Sequence, residues 1–307
     1  MSTKRSRSPP SVDVLRLLAD FATRGWVGVP SLLSPSELRV LQAECNALYA
    51  RESAESLAAQ GCVLDVMAQC PMHDSDCARV SASSYLKARA EQLKSEDVVN
   101  IGDQQIFASV LFEKLPTVAG QLMRAREEAE TTTDVLFFNE HYVVKPPRSH
   151  VEFRWHRDDD EQLAMCVHRA SIRPYVSAWC ALDDVTKLNG ALQFVSLDAL
   201  DGSDEESAET LKRHACEHVA AKAGDVLFFL SNVWHCSSSN VSGGARRAFY
   251  AQYSSEKIRA RPKDPSPLSF AIPCKRTDSA SMSMENRVGR KRFKHDAVRE
   301  VNEKSLL

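Results

Sequence analysis

Hydrophobic positions near the start of the chain recur at helical spacing: Val14, Leu15, Leu17, Leu18 and Phe21 mark one face of a short helix that Gly25 is placed to end. "WVGVP" reads as a short strand. "SPSE" at Ser34 to Glu37 has the form of a capping box with Pro35 in the first turn, so a second helix is expected from there to about Ala58. Between Gly61 and Gln121 the pattern mixes helix and loop. After Thr133 it becomes short apolar runs separated by turn signals: "DVLFF", "EHYVVK", "VEFRWH", "YVSAWCAL", "GALQFV", "DVLFFL" and "RRAFYAQY". Seven such runs predict a β-sandwich or barrel.

The flanks are polar. Residues 1–10 read as a disordered basic arm, 199–213 as an acidic surface insertion, and 257–307 as a polar, basic tail, leaving 11–256 as one folded domain. With 307 residues, 43% of them hydrophobic, the chain can bury a sizeable core. The balance of 39 basic against 41 acidic residues gives no overall attraction to nucleic acid or an anionic membrane. The expected partner is therefore a small molecule, and oligomeric state is not legible. No apolar run is long enough to span a bilayer, and no signal core follows the N-terminus, so a soluble protein of the cytoplasm or nucleus is expected. Nine cysteines without a CxxC pair favour reduced thiols. "CPMHDSDC" spaces Cys70, His73 and Cys77 like zinc ligands, but no fourth ligand is evident.

"RWHRDDDEQ" carries the candidate chemistry. In a strand, alternate side chains share a face, so His156 and Asp158 can converge on a metal while Arg157 points away. A second histidine from elsewhere would complete the two-histidine, one-carboxylate set of non-haem iron oxygenases, which leaves three coordination positions open. His235, after the run "GDVLFFLSNVW", is the best-placed candidate. The pair alone is a weak signal. His150 and Glu152 in "HVE" stand in the same relation and on the same parity, and a hydrated acidic turn explains "HRDDD" equally well.

The ordered segments "VDVLRLLADFATRGWVGVPSLLSPSEL", "YVVKPP", "WHRD", "VSAWCALDDVTKLNGALQFV" and "AGDVLFFLSNVWHCSSSNVSGGARRAF" resemble the phytanoyl-CoA dioxygenase family from about Ser11 to Tyr253. The resemblance implies a mainly β, α+β protein: a double-stranded β-helix, or cupin-like jelly roll, with N-terminal helices packed on one sheet. It implies iron(II) as metal, 2-oxoglutarate and dioxygen as cosubstrates and ascorbate as an optional reductant, with His156, Asp158 and His235 as iron ligands. It also implies that Arg246, eleven residues after His235, grips the distal carboxylate of 2-oxoglutarate in preference to Arg247. A bidentate guanidinium suits that task. Lys145, Trp179 and Ser237 match positions lining the cosubstrate pocket, while Asn189 and Gly190 read as a turn.

Two departures separate this chain from the family pattern: "SLDAL" replaces a "PGSH"-like segment, and Arg157 replaces the usual Gln between the metal-binding His and Asp. Phytanoyl-CoA is therefore not inherited as substrate, and the terminal "SLL" is not a peroxisomal signal. The expected reaction is hydroxylation of a C–H bond in a small organic or lipid-like molecule, with release of succinate and carbon dioxide. Two rivals remain: an AlkB-type nucleic-acid dealkylase, whose second arginine is replaced by Gln252 or Tyr253, and a non-catalytic binding module on the same fold.

Overall fold

The computed structural model describes residues 12–67, 81–93, 101–126, 134–165, 171–200, 207–258 and 271–274. The candidate zinc residues Cys70, His73 and Cys77 lie outside these. The first helix, α1 (Val12–Arg24), buries Phe21 completely. Leu15 is 51% exposed, so the apolar stripe is narrower than its sequence suggested. Gly25 ends the helix in the left-handed region at φ 78°, its N–H donating to the Phe21 carbonyl at 2.8 Å. A Cβ there would stand 2.5 Å from Val233 Cγ2, so both backbone and packing require glycine.

After β1 (Trp26–Val29), the capping box forms as expected and opens α2 (Pro35–Tyr49), with Ser34 N donating to Glu37 Oε2 at 2.6 Å and Glu37 N to Ser34 Oγ at 3.4 Å. The helix does not run on to Ala58. Ser53 accepts from Ser56 N at 3.0 Å and starts a separate helix, α3 (Ala54–Ala59), because a serine side chain competes for the backbone donors of a new first turn.

The core is a jelly roll of two antiparallel sheets. The larger has the order β1, β7 (Val226–Leu230), β5 (Val176–Ala181), β9 (Arg246–Ser254), β3 (Leu136–Lys145) and β10 (Ile272–Pro273), with β2 (Val63–Asp65) also on β3. The smaller has the order β4 (Phe153–His156), β8 (His235–Ser237), β6 (Leu192–Phe194). Two of the seven expected runs, "DVLFF" and "EHYVVK", are one strand, β3. A register shift between Phe137 and Asn139 interrupts its pairing with β9, and that bulge is why the sequence alternation breaks there. β2, β8 and β10, each of two or three residues, gave too short a pattern to read.

Strand alternation divides the larger sheet into two chemistries. On β9, Phe249 and Tyr253 face outward, where Phe249 meets Phe107 of α5 (Ile101–Ser109) edge-on at 5.7 Å. The Tyr253 hydroxyl donates to the Leu111 carbonyl at 2.7 Å, in the π-helical turn Val110–Lys114 that joins α5 to α6 (Leu115–Arg124). Arg246, Tyr250 and Gln252 take the opposite parity and face inward.

The outer face also buries charge. Arg89 of α4 (Ala82–Leu93) is 4% exposed and bridges two carboxylates, with Nε 2.7 Å from Glu140 Oε1 on β3 and Nη2 2.7 Å from Glu44 Oε1 on α2. The Tyr85 and Tyr142 hydroxyls donate to Glu140 and Glu44 at 2.5 and 2.7 Å. Burial pushes the Glu140 pKa upward even beside Arg89. Removing the arginine alone strands two desolvated carboxylates, the costly case for buried ion pairs. Arg89→Met is expected to lose about 3–5 kcal/mol of stability in urea denaturation. An unchanged midpoint would show that the lattice contributes nothing to holding α4.

Candidate metal centre

Three side chains gather where the smaller sheet faces the larger. One ligand atom each from His156, Asp158 and His235 lies within 4.8 Å of the others. His156 ends β4, His235 begins β8, and the two are register partners. Their ring centroids are 4.2 Å apart. Asp158 is not on the strand. It opens a helix, α7 (Asp158–Met165), so a strand-to-helix turn, not strand alternation, brings it beside His156. The aspartate run thus forms a first helical turn, where acidic residues meet the positive end of the helix dipole.

Tautomers are set by the backbone. His156 Nδ1 lies 2.7 Å from the Arg154 carbonyl and His235 Nδ1 3.0 Å from the Val233 carbonyl. A carbonyl only accepts, so in the neutral ring each Nδ1 carries the hydrogen and each Nε2 keeps the lone pair. Burial, then the neighbouring His156, push the His235 pKa down to about 4. Burial would raise Asp158, but its histidine neighbours and hydrogen-bond donors bring its pKa below the ordinary value. At neutral pH a neutral His235 and an ionised Asp158 therefore face one another, the protonation states that metal binding needs.

Asp158 Oδ1 lies 3.9 Å from His156 Nε2 and 3.6 Å from His235 Nε2. One ion with bonds of about 2.1 Å separates its ligand atoms by roughly 3–4 Å. Three electron-pair donors converging on one point repel each other unless a cation stands between them. The set therefore fits a metal, and two imidazoles with one carboxylate suit ferrous iron. His150 and Glu152, the alternative pair, are both exposed outside the strand and do not belong to this group.

Further along the inner face, Lys145 and Arg246 are register partners on β3 and β9. Arg246 is 1% exposed, its guanidinium 5.3 Å from the Trp179 ring centroid. Nη2 donates to the Gly190 carbonyl at 3.0 Å and Nε to the Asn189 carbonyl at 3.4 Å. Nη1 is buried without a partner. Burial lowers the Arg246 pKa to about 10, which leaves it charged at pH 7. Arg247 points outward and pairs with Asp183 at 2.5 Å. Gly190, at φ 87°, makes the turn; a Cβ there would lie 2.5 Å from the Ser238 carbonyl oxygen.

The buried Lys145 ammonium donates to Ser237 Oγ at 2.9 Å, to the Ser237 carbonyl at 3.1 Å and to the Ser238 carbonyl. Its three hydrogens are thus engaged, so it acts on a nearby anion through charge. Burial first, and the Arg246 charge second, push its pKa down to about 7. Sequence reasoning missed Ser177, Tyr250 and Gln252, all of which touch Asp158. Counting in twos from Arg246 along β9 reaches both Tyr250 and Gln252, and was the available signal.

The family model described as phytanoyl-CoA dioxygenase matches residues 21–248. No curated protein matches the chain. Among solved structures, the fold is similar to the non-haem α-ketoglutarate-dependent epimerase SnoN from nogalamycin biosynthesis, at TM-score 0.54 and 18% identity over 86% of this chain and 96% of that one. It is also similar to EctD from S. alaskensis with 2-oxoglutarate and 5-hydroxyectoine, at 0.53 and 20% over 89% and 91%. AviO1 from Streptomyces viridochromogenes Tue57 aligns at 0.52 and 20% over 84% and 99%.

A pH test follows from Lys145. Its folded pKa lies below the ordinary lysine value of 10.5, so between about pH 7 and 10.5 the unfolded chain binds more protons and stability rises with pH. The slope is at most about 1.4 kcal/mol per pH unit. The denaturation midpoint of Lys145→Met, relative to wild type, is expected to fall between pH 7 and 9. A constant difference would place the ammonium in a solvated environment.

Proposed function

Because the chain belongs to the phytanoyl-CoA dioxygenase family, we propose that it is an iron(II)- and 2-oxoglutarate-dependent dioxygenase, with His156, Asp158 and His235 as the iron ligands. The observation that carries this reading is Arg246. A buried guanidinium with one nitrogen unpartnered, on the inner face of the larger sheet across from three converging ligand atoms, calls for an anion that reaches toward the metal. A dicarboxylate such as 2-oxoglutarate has that form, with one end for the metal and one for the guanidinium.

Iron, 2-oxoglutarate and dioxygen together supply an oxidant able to break a C–H bond, with succinate and carbon dioxide released. The protein's residues bind and orient. Arg246 receives the distal carboxylate, Trp179 walls its guanidinium, and Lys145 holds the Ser237–Ser238 backbone in place. The carbonyls of Asn189 and Gly190 fix the direction of the arginine fork, so little rotamer entropy remains to be lost on binding. Apolar side chains on the same walls, including Phe194 and Phe229 around His235, exclude water from the ligands.

The proposed outcome is hydroxylation of a small organic or lipid-like molecule. Position 252, where a dealkylase would carry its second arginine, holds a glutamine bonded to Asp158. No helix among the described residues is long and apolar enough to cross a membrane.

Anaerobic titration with Fe(II) and 2-oxoglutarate is expected to give a visible metal-to-ligand charge-transfer band, with succinate formed once oxygen is admitted. His156→Ala should abolish the band. Arg246→Ala should weaken 2-oxoglutarate binding by about 2 kcal/mol or more, roughly 30-fold. A folded, iron-exposed wild-type protein that shows no band rejects this function.

A further inference from the structure

Asp158 treats its two oxygens differently. Oδ1 faces the two histidines, at 3.6 and 3.9 Å from their Nε2 atoms. Oδ2 accepts three hydrogen bonds from the larger sheet: Ser177 Oγ on β5 at 2.7 Å, Gln252 Nε2 on β9 at 3.1 Å, and the Tyr250 hydroxyl on β9. The donors are held in turn. Asn139 Nδ2 on β3 donates to Gln252 Oε1 at 2.8 Å, which turns the amide nitrogen toward the carboxylate, and Gln252 Nε2 also reaches Ser177 Oγ at 3.1 Å. The Tyr250 ring lies flat against His141 at 4.7 Å and edge-on to Phe229 at 6.0 Å, which fixes where its hydroxyl points.

Three donors are more than one carboxylate oxygen needs to offset its burial. They use the lone pairs of Oδ2 and leave that atom none to offer a cation. On the other side, Oδ1 stands among two imidazole lone pairs and is pushed away from them. A carboxylate free to rotate would relieve that repulsion by swinging out. It would also be free to bind an ion through both oxygens and so take a second coordination position.

Building on the iron reading above, we propose that Ser177, Tyr250 and Gln252, with Asn139 behind them, are positioning residues that lock Asp158 so that Oδ1 alone is presented to the metal. One oxygen from aspartate and one nitrogen from each histidine fill three positions. The three that remain are the number needed for a chelating 2-oxo acid plus dioxygen. The lock spans the fold: the metal ligands lie on or beside β4 and β8, and all the donors lie on β3, β5 and β9. The carboxylate is thus a strut between the two sheets.

The test uses Co(II) alone as the probe, in the full chain, with Tyr250→Phe and Ser177→Ala against wild type. Each variant deletes one hydroxyl, and the phenylalanine keeps the ring against His141. Tyr253→Phe is the control, since it removes a buried, hydrogen-bonded hydroxyl from the opposite face of the same strand. The expected result is a Co(II) affinity weakened about 10-fold or more in both site variants, with a changed visible d–d spectrum of the bound ion. Tyr253→Phe lowers thermal stability and leaves both readouts at wild-type values. Wild-type affinity and an unchanged spectrum in both site variants overturn the lock and leave the metal site standing. If Tyr250→Phe does not fold, Ser177→Ala decides by the same two readouts. Failure of wild type to bind Co(II) more tightly than His156→Ala overturns the metal site and the lock together.

Discussion

Much of the molecule depends on one electrostatic conflict. Two imidazole lone pairs and a carboxylate oxygen are aimed at one point inside a low-dielectric core, where like partial charges repel more strongly than in water. Nothing local resolves this, and the surroundings must hold each group in place. The Arg154 and Val233 carbonyls fix the rings of His156 and His235, each through a contact two residues back along its own chain. Asp158 is fixed at long range, from strands more than fifteen residues away. The histidines are therefore set by secondary structure and the aspartate by tertiary structure.

The strands do this with a strict division of faces. On β9, the residues of one parity include Arg246, Tyr250 and Gln252, which are committed to polar contacts in the interior. Those of the other parity include Phe249 and Tyr253, which seat the helices. Rigidity passes between the faces, because a strand pinned by aromatic packing on one side cannot shift on the other without losing that packing. The Arg89 lattice extends the same pinning to β3 through Glu140, the neighbour of His141.

Much of this was legible in the sequence, with limits that have physical causes. The apolar runs gave the all-β core because alternation survives wherever a strand has one face on the helices. Periodicity could not separate His156 and Asp158 from His150 and Glu152, since both pairs have the same spacing. Only burial separates them, and burial is a property of the fold. The strand reading of "HRDDD" failed because Asp158 already begins a helix. The helix expected to reach Ala58 was cut by Ser53, a cap whose strength depends on the turn it finds itself in. Tyr250 and Gln252 passed as ordinary strand residues, as polar groups in a sheet core do until their partner is known.

The bulge beside Phe138 sets the phase of β3. Phe137 lies on the helix side and Asn139 on the site side, although two residues apart they would ordinarily share a face. Regular alternation carried through Phe138 without the bulge would turn Glu140 and Tyr142 toward the ligands and Asn139 and His141 toward the helices. What the chain must preserve here is the unpaired residue, which takes up one step of the alternation without a partner on β9. The strand behaves as two segments spliced out of step, and the splice decides which chemistry each side of the sheet receives.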